Sequence, residues 1–135
     1  MFKGGKYRTV TIAATAGNAT RNMAPGLNKA WYILRGTITL VNDGTVATRN
    51  LRIRITDGSN VTEWMYKGSN TTASQTKYHS VGLVSQVANG SQDTDYVGIS
   101  EPILIVYPDQ FRITVDSGVA GDNVSGFLVV WEFDY

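Results

Sequence analysis

Few side chains in this chain have the types and spacing that catalysis demands. His79 is the sole histidine and is followed by Ser80. Adjacent strand residues point to opposite faces, so the two cannot work as base and nucleophile. The absence of cysteine excludes thiol nucleophiles, thiolate zinc sites and disulfide frameworks, and one histidine leaves a zinc site short of ligands. Glu63, Glu101 and Glu132 are the only glutamates and sit on separate segments, with no spacing that pairs two carboxylates for glycoside hydrolysis. The aspartates fall mostly in turns, where such side chains cap backbone amides. Asn89-Gly90-Ser91-Gln92-Asp93-Thr94-Asp95 holds a D-x-D step but lacks the glycine position and distal glutamate of an EF-hand loop. Asp116-Ser117-Gly118-Val119-Ala120-Gly121 lacks the lysine and following helix of a phosphate cradle. The expectation is a non-enzymatic protein with no metal and no cofactor.

Binding chemistry remains. Arg49, Arg52 and Arg54, with Lys3, Lys6 and Arg8, could form a basic stripe, and Trp31, Trp64, Tyr66 and Tyr78 could supply stacking faces for single strands or sugars. Outward arginines on a strand are more usually a solvated face, or pair with aspartates of a neighbour. Trp64 and Tyr66 share a face beside a polar loop and are the candidate carbohydrate contact, set against the ordinary reading as core aromatics. The net charge is +1 with 17% charged residues, below the roughly 25% usual for soluble domains; Thr, Ser, Asn and Gly fill the deficit. That balance argues against nucleic acid and membrane partners, both of which need a concentrated basic patch. No apolar stretch approaches the ~18 residues of a spanning helix, and the threonines after Arg8 are too polar for a secretory signal.

The elements that would position these residues read as β throughout, because period two dominates and no window keeps a helical period. Strands are expected at residues 7–14, 31–41, 49–56, 61–66, 78–87, 103–107, 110–116 and 124–133. In the first, Val10 and Ile12 oppose Tyr7, Thr9 and Thr11. In the second, Tyr32, Leu34, Ile38 and Leu40 share a face opposite Arg35, Thr37 and Thr39, and Asn42-Asp43-Gly44 reads as a hairpin turn of type I′. In the third, Leu51, Ile53 and Ile55 point inward and Arg52 and Arg54 outward. His79 and Val81 share a face with Leu83 and Val87, opposite Tyr78 and Val84. Residues 17–29 read as a long loop, 68–75 as an exposed, mobile loop without apolar anchors, and 88–95 as a second polar loop. With 135 residues and 42% hydrophobic content, the chain fits a single domain over residues 1–135 that buries a core without staples. The expected fold is an antiparallel β-sandwich of jelly-roll or Greek-key type. Residues 1–6 and 17–29 are candidate arms, with Phe2, Lys3 and Lys6 as the docking arm. The last strand is apolar on both sides: Leu128 and Val130 against Phe127, Val129, Trp131 and Phe133. One face can enter the core, so the second set is the candidate oligomer interface.

Tyr107-Pro108-Asp109-Gln110-Phe111-Arg112-Ile113-Thr114-Val115, then Ala120-Gly121-Asp122-Asn123-Val124 and the closing Val129-Val130-Trp131-Glu132-Phe133-Asp134-Tyr135, carry a resemblance. They are similar to small all-β virion proteins of tailed bacteriophages, especially capsid decoration and other accessory head proteins. A Pro-x-x-aromatic turn there feeds a penultimate strand, and an Ala-Gly-Asp turn precedes the last. The resemblance implies a jelly-roll-like domain, a homo-oligomer with a trimer favoured, and docking on the major capsid protein or other virion proteins. It implies a place in the virion, assembled in the host cytoplasm. A tail or fibre component with receptor or carbohydrate binding is the alternative. No binding residue of that family carries over to a position here.

Overall fold

The computed structural model describes residues 4–59, 62–82, 94–99 and 101–135, with Thr62 and Glu63 described by backbone alone. Among these residues every regular element is a strand, so no helix is present that could cross a membrane. The strands are β1 (Lys6–Ala16), β2 (Arg21–Met23), β3 (Lys29–Val41), β4 (Asn50–Thr56), β5 (Thr62–Lys67), β6 (Thr76–Gly82), β7 (Thr94–Gly98), β8 (Ile103–Val106), β9 (Gln110–Asp116) and β10 (Asn123–Asp134). They form two sheets. Sheet A is 6-stranded in the order β1-β10-β3-β6-β7, with β8 also paired to β3; sheet B is 4-stranded in the order β2-β9-β4-β5. The chain is therefore all-β.

Alternation explains which side of each sheet is buried. In β4, Leu51, Ile53 and Ile55 are buried while Arg52 and Arg54 turn outward. Removing each such aliphatic side chain from water stabilises the fold by ~1.5–3 kcal/mol. Ile12, Ile38, Leu40, Val81, Leu128 and Val130 of sheet A join Met23, Leu51, Ile53, Ile55, Phe111 and Ile113 of sheet B in one hydrophobic cluster. The two sheets thus share a core.

Several local expectations are corrected. Tyr32 and Leu34 do not share a face with Ile38 and Leu40. Val129 pairs with Arg35 but Val130 pairs with Ile33, so Leu34 is an extra residue in β3. This bulge reverses the parity of the strand. Trp31 and Ile33 are buried before it and Ile38 and Leu40 after it, leaving Tyr32 and Leu34 on the outer side, half-buried. The segment 17–29 is not wholly loop, because β2 pairs Arg21–Met23 with β9. Asn42-Asp43-Gly44 closes no hairpin: β3 lies in sheet A and β4 in sheet B. The sheets are also not purely antiparallel, since β6 and β7 pair in parallel. A parallel pair needs a crossover of about a dozen residues, a role that falls to residues 83–93, outside the described part. Leu83, Val84, Val87, Asp93, Phe2 and Lys3 lie outside it too.

The connections that pass between the sheets at one end meet around Arg49. They are residues 17–20 from β1 to β2, 42–49 from β3 to β4, 68–75 from β5 to β6, and 117–122 from β9 to β10. Arg49 was a candidate member of a basic stripe, but it is fully buried. Each of the five guanidinium donors has an acceptor. Nε donates to Asp122 Oδ2 at 3.0 Å, Nη1 to the carbonyls of Thr45 and Ala47 at 2.8 and 3.0 Å, and Nη2 to Asp43 Oδ1 and Asp122 Oδ1 at 3.0 and 3.1 Å. Asp122 accepts further bonds from the N–H groups of Asp43 and Val119. Burial pushes its carboxyl up, and those bonds with the Arg49 charge more than reverse this, holding it below the usual range. The loop 68–75 is pinned here rather than free. Arg49 and Thr71 exchange backbone bonds at 2.8 and 2.9 Å, and Asn42 Nδ2 reaches Thr71 Oγ1 and the Thr72 carbonyl. A Cβ on Gly17 would collide with Asp122, and one on Gly121 with Asp43, so glycine is required where these connections close on the ion pair.

Candidate interaction surfaces

The side of sheet A that faces away from sheet B is built by β1, β10, β3 and β8. Its rows follow from the register: Tyr7, Trp131, Tyr32 and Leu104 across one row, and Thr9, Val129 and Arg35 across another, with Thr11, Phe127 and Thr37 beyond. Arg35 is the single charge in these rows. Tyr7 is 71% exposed and Phe127 and Leu104 are each 42% exposed, while Val129 and Trp131 are half-buried. Phe133 is buried, stacked against Tyr32 with centroids 5.4 Å apart, and Trp131 meets Tyr7 edge-on at 4.8 Å. Of the candidate interface residues, Phe127, Val129 and Trp131 lie on one outer face, whereas Phe133, of the same parity in β10, is covered by Tyr32 and is not available at the surface. Tyr32 and Leu34 extend that face, and the Leu34 bulge that put them there left no trace in the alternation. A shallow groove runs between Tyr7, Tyr32, Leu34 and Trp131, with Glu101 and Pro102 on its rim, and a second opens beyond Tyr32 towards Trp64.

Trp64 and Tyr66 lie on β5 opposite Ile55 and Ile53, and both pack against the shared core. Trp64 still lines the second groove. Tyr66 turns its hydroxyl to the buried His79, at 3.3 Å from Nδ1, and donates to Asp95 Oδ2 at 3.3 Å. Asp95 also accepts from the Ser69 N–H and Oγ and faces Lys77 at 3.4 Å. Burial alone would raise its pKa, and the Ser69 bonds, then Lys77 and His79, bring it below the ordinary value. Burial pushes the His79 pKa down to about 4; Asp95 opposes this and Lys77 adds to it. Burial, with the nearby Asp95 charge, raises the Tyr66 phenol. His79 is a neutral packing residue near neutral pH, and its Nε2 has no hydrogen-bond partner. Asp95, the described half of the D-x-D step, spends its oxygens on the protein's own groups. Among the described residues no three His, Cys, Asp or Glu side chains gather as metal ligands.

Of the N-terminal arm, Lys6 is exposed at the start of β1 and pairs with Glu132. Glu132 is buried, accepting from Trp31 Nε1 and Arg8 Nη1, each at 2.8 Å. Burial raises its pKa, but these bonds and the Arg8 charge keep it below the ordinary glutamate value. Arg8 therefore belongs to an ion pair inside sheet A, and Arg49 to the buried knot. The basic stripe expected from the sequence does not assemble. What the fold and surfaces define is a two-sheet β protein with one broad, nearly uncharged aromatic face. No family model matches the chain, and no match is found among curated proteins or solved structures.

Proposed function

We propose that the chain is a non-enzymatic structural protein of a bacteriophage virion, a capsid decoration or accessory head protein that binds the shell as a homo-oligomer. The observation that carries this reading is the outer face of sheet A, where Phe127, Val129 and Trp131 continue into Tyr7, Tyr32 and Leu104 with Arg35 as the single charge in the rows. A contiguous apolar face of this kind marks an association surface. A second copy of the chain fits it, because a net charge of +1 does little to hold copies apart. The strand order supports the fold half of the reading. β1-β10-β3-β6 in one sheet and β2-β9-β4-β5 in the other nest as β1 with β10, β2 with β9, β3 with β6 and β4 with β5. We infer a β-sandwich of jelly-roll type, an architecture that recurs in viral capsid and lectin domains. The mechanism is mechanical: an oligomer touching several shell subunits gains avidity from multivalency and needs no active site. The resemblance favours a trimer.

Light scattering on the purified chain, with Val129→Glu as the disrupting variant, tests the association. The expected result is an oligomer that Val129→Glu converts to monomer. A wild-type monomer at high concentration overturns the reading. Copy number in purified particles tests the location, with hundreds of copies expected for decoration and a few for a tail component. The grooves beside Tyr32, where Tyr7, Trp131 and Trp64 lie near Glu101, favour one second reading, a tail or fibre component that binds a glycan. Aromatic faces with a carboxylate suit a sugar's apolar and hydroxyl surfaces. A glycan screen that loses its hits with Trp131→Ala and Trp64→Ala supports it, and a screen without hits removes it.

A further inference from the structure

The outer face of sheet A carries two described charges, and they are of opposite sign. Ser80 and Tyr78 of β6 and Tyr96 of β7 continue the rows built by β1, β10, β3 and β8. Among the described residues of these rows Arg35 is the single cation, and none is an acid. The acid stands at the rim. Glu101 borders the groove between Tyr7, Tyr32, Leu34 and Trp131, while Arg35 borders the neighbouring one with Tyr7, Thr9, Leu34 and Val129. Tyr7 and Leu34 line both grooves, so apolar surface lies between the two charges. Arg35 and Glu101 are both exposed, and no ion pair joins them to each other within the chain.

We propose that this face pairs with the same face of a second copy across a two-fold axis, with Arg35 of each copy bound to Glu101 of the other. The proposal rests on the self-association argued above and supplies its geometry and its charge pairs. A two-fold axis in the plane of contact, midway between the two charges, sets Arg35 of each copy over Glu101 of the other. One axis makes both pairs at once, the mark of an isologous interface. Leu34 and Tyr7 then lie near the axis, between the two ion pairs. A wholly apolar partner would bury both charges unpaired, and an acidic or basic one would satisfy one charge and repel the other. A second copy answers both. The contact closes as a dimer, whereas the resemblance favours a trimer, so the mass of the assembly separates the two.

The test is sedimentation velocity of the full chain, with variants alone and mixed. The wild type is expected to be a dimer. Arg35→Glu and Glu101→Arg should each raise its dissociation constant at least about tenfold, because each reversal sets like charges together in both pairs. Mixed in equal amounts, the two variants should regain a dimer within about twofold of the wild-type affinity, since one copy then brings only acids to these places and the other only cations. Arg35→Gln and Glu101→Gln remove a charge without reversing it; each should weaken the dimer about threefold and keeps the test open if a reversal fails to fold. Lys67→Glu, on β5 of sheet B, alters net charge as Arg35→Glu does and should change the affinity less than about twofold. A wild-type monomer overturns the association itself. A trimer, or a dimer indifferent to these substitutions, leaves the association standing and overturns the two-fold pairing. So does a mixture that stays as dissociated as its components, which would confine the effect of each charge to its own chain.

Discussion

Arg49 and Arg54 stand on the same stretch of chain, yet they live in opposite conditions. Arg49 is fully buried with every donor satisfied, between connections from both sheets, while Arg54 turns outward with no bond and a second arginine across from it. The difference separates an arginine that holds the connections of the fold together from one that makes no hydrogen bond of its own. In the first case the charge is balanced by Asp122 and Asp43; in the second Arg54 lies opposite Arg112 across the strand pair.

The comparison can be broken most severely at Arg49. Arg49→Met should destabilise the protein by about 3–5 kcal/mol, because it leaves Asp122 buried and uncompensated; urea unfolding followed by tryptophan fluorescence checks this. Acid probes a third buried polar group, His79, whose Nε2 is unpartnered. Its folded pKa of about 4 lies below the ordinary 6.5, so the unfolded chain takes up more protons between those values. Stability is fully present above pH 6.5 and falls as pH drops through 4, by up to about 3 kcal/mol. A His79→Phe variant should flatten that slope in melts between pH 7 and pH 4. Asp122 and Glu132, both held below their ordinary values, add further losses only at lower pH, as their carboxylates are protonated. Asp43→Asn should cost less than Arg49→Met, about 1 kcal/mol, since Asp43 sits at the partly exposed rim of the knot and shares Arg49 with Asp122. Arg54→Gln should do least, leaving stability unchanged or raising it by about 0.5 kcal/mol as the repulsion with Arg112 is removed. If that last change instead costs as much as Arg49→Met, the distinction between the two arginines fails.

Much of this arrangement could be read before any coordinates, and the misreadings share a cause. Leu51, Ile53 and Ile55 turned inward as their alternation required, and Leu128 and Val130 took the core side of β10 while Phe127 and Val129 took the other. Those features depend on residues two apart. Arg49 reads locally as one more member of a basic stripe because its partner Asp122 lies 73 positions away in a turn that looks complete in itself. The Leu34 bulge is set by a mismatch with β10, which the sequence of β3 does not record. Loop 68–75 has no apolar anchors, as its composition says, but its anchors are hydrogen bonds to Arg49 and Asn42.

β1 is the outermost strand of its sheet, with β10 its only described partner. Lys6 and Arg8 pair across to Glu132 and Val130, on the side of the sheet that turns to the core, and the register slips between Ile12 and Thr15. Inward-pointing charges and a bulge are the devices by which edge strands refuse a further strand. Edge-to-edge addition of a further strand is disfavoured at this rim, so the self-association proposed for the chain would use the broad outer face of sheet A and not this edge.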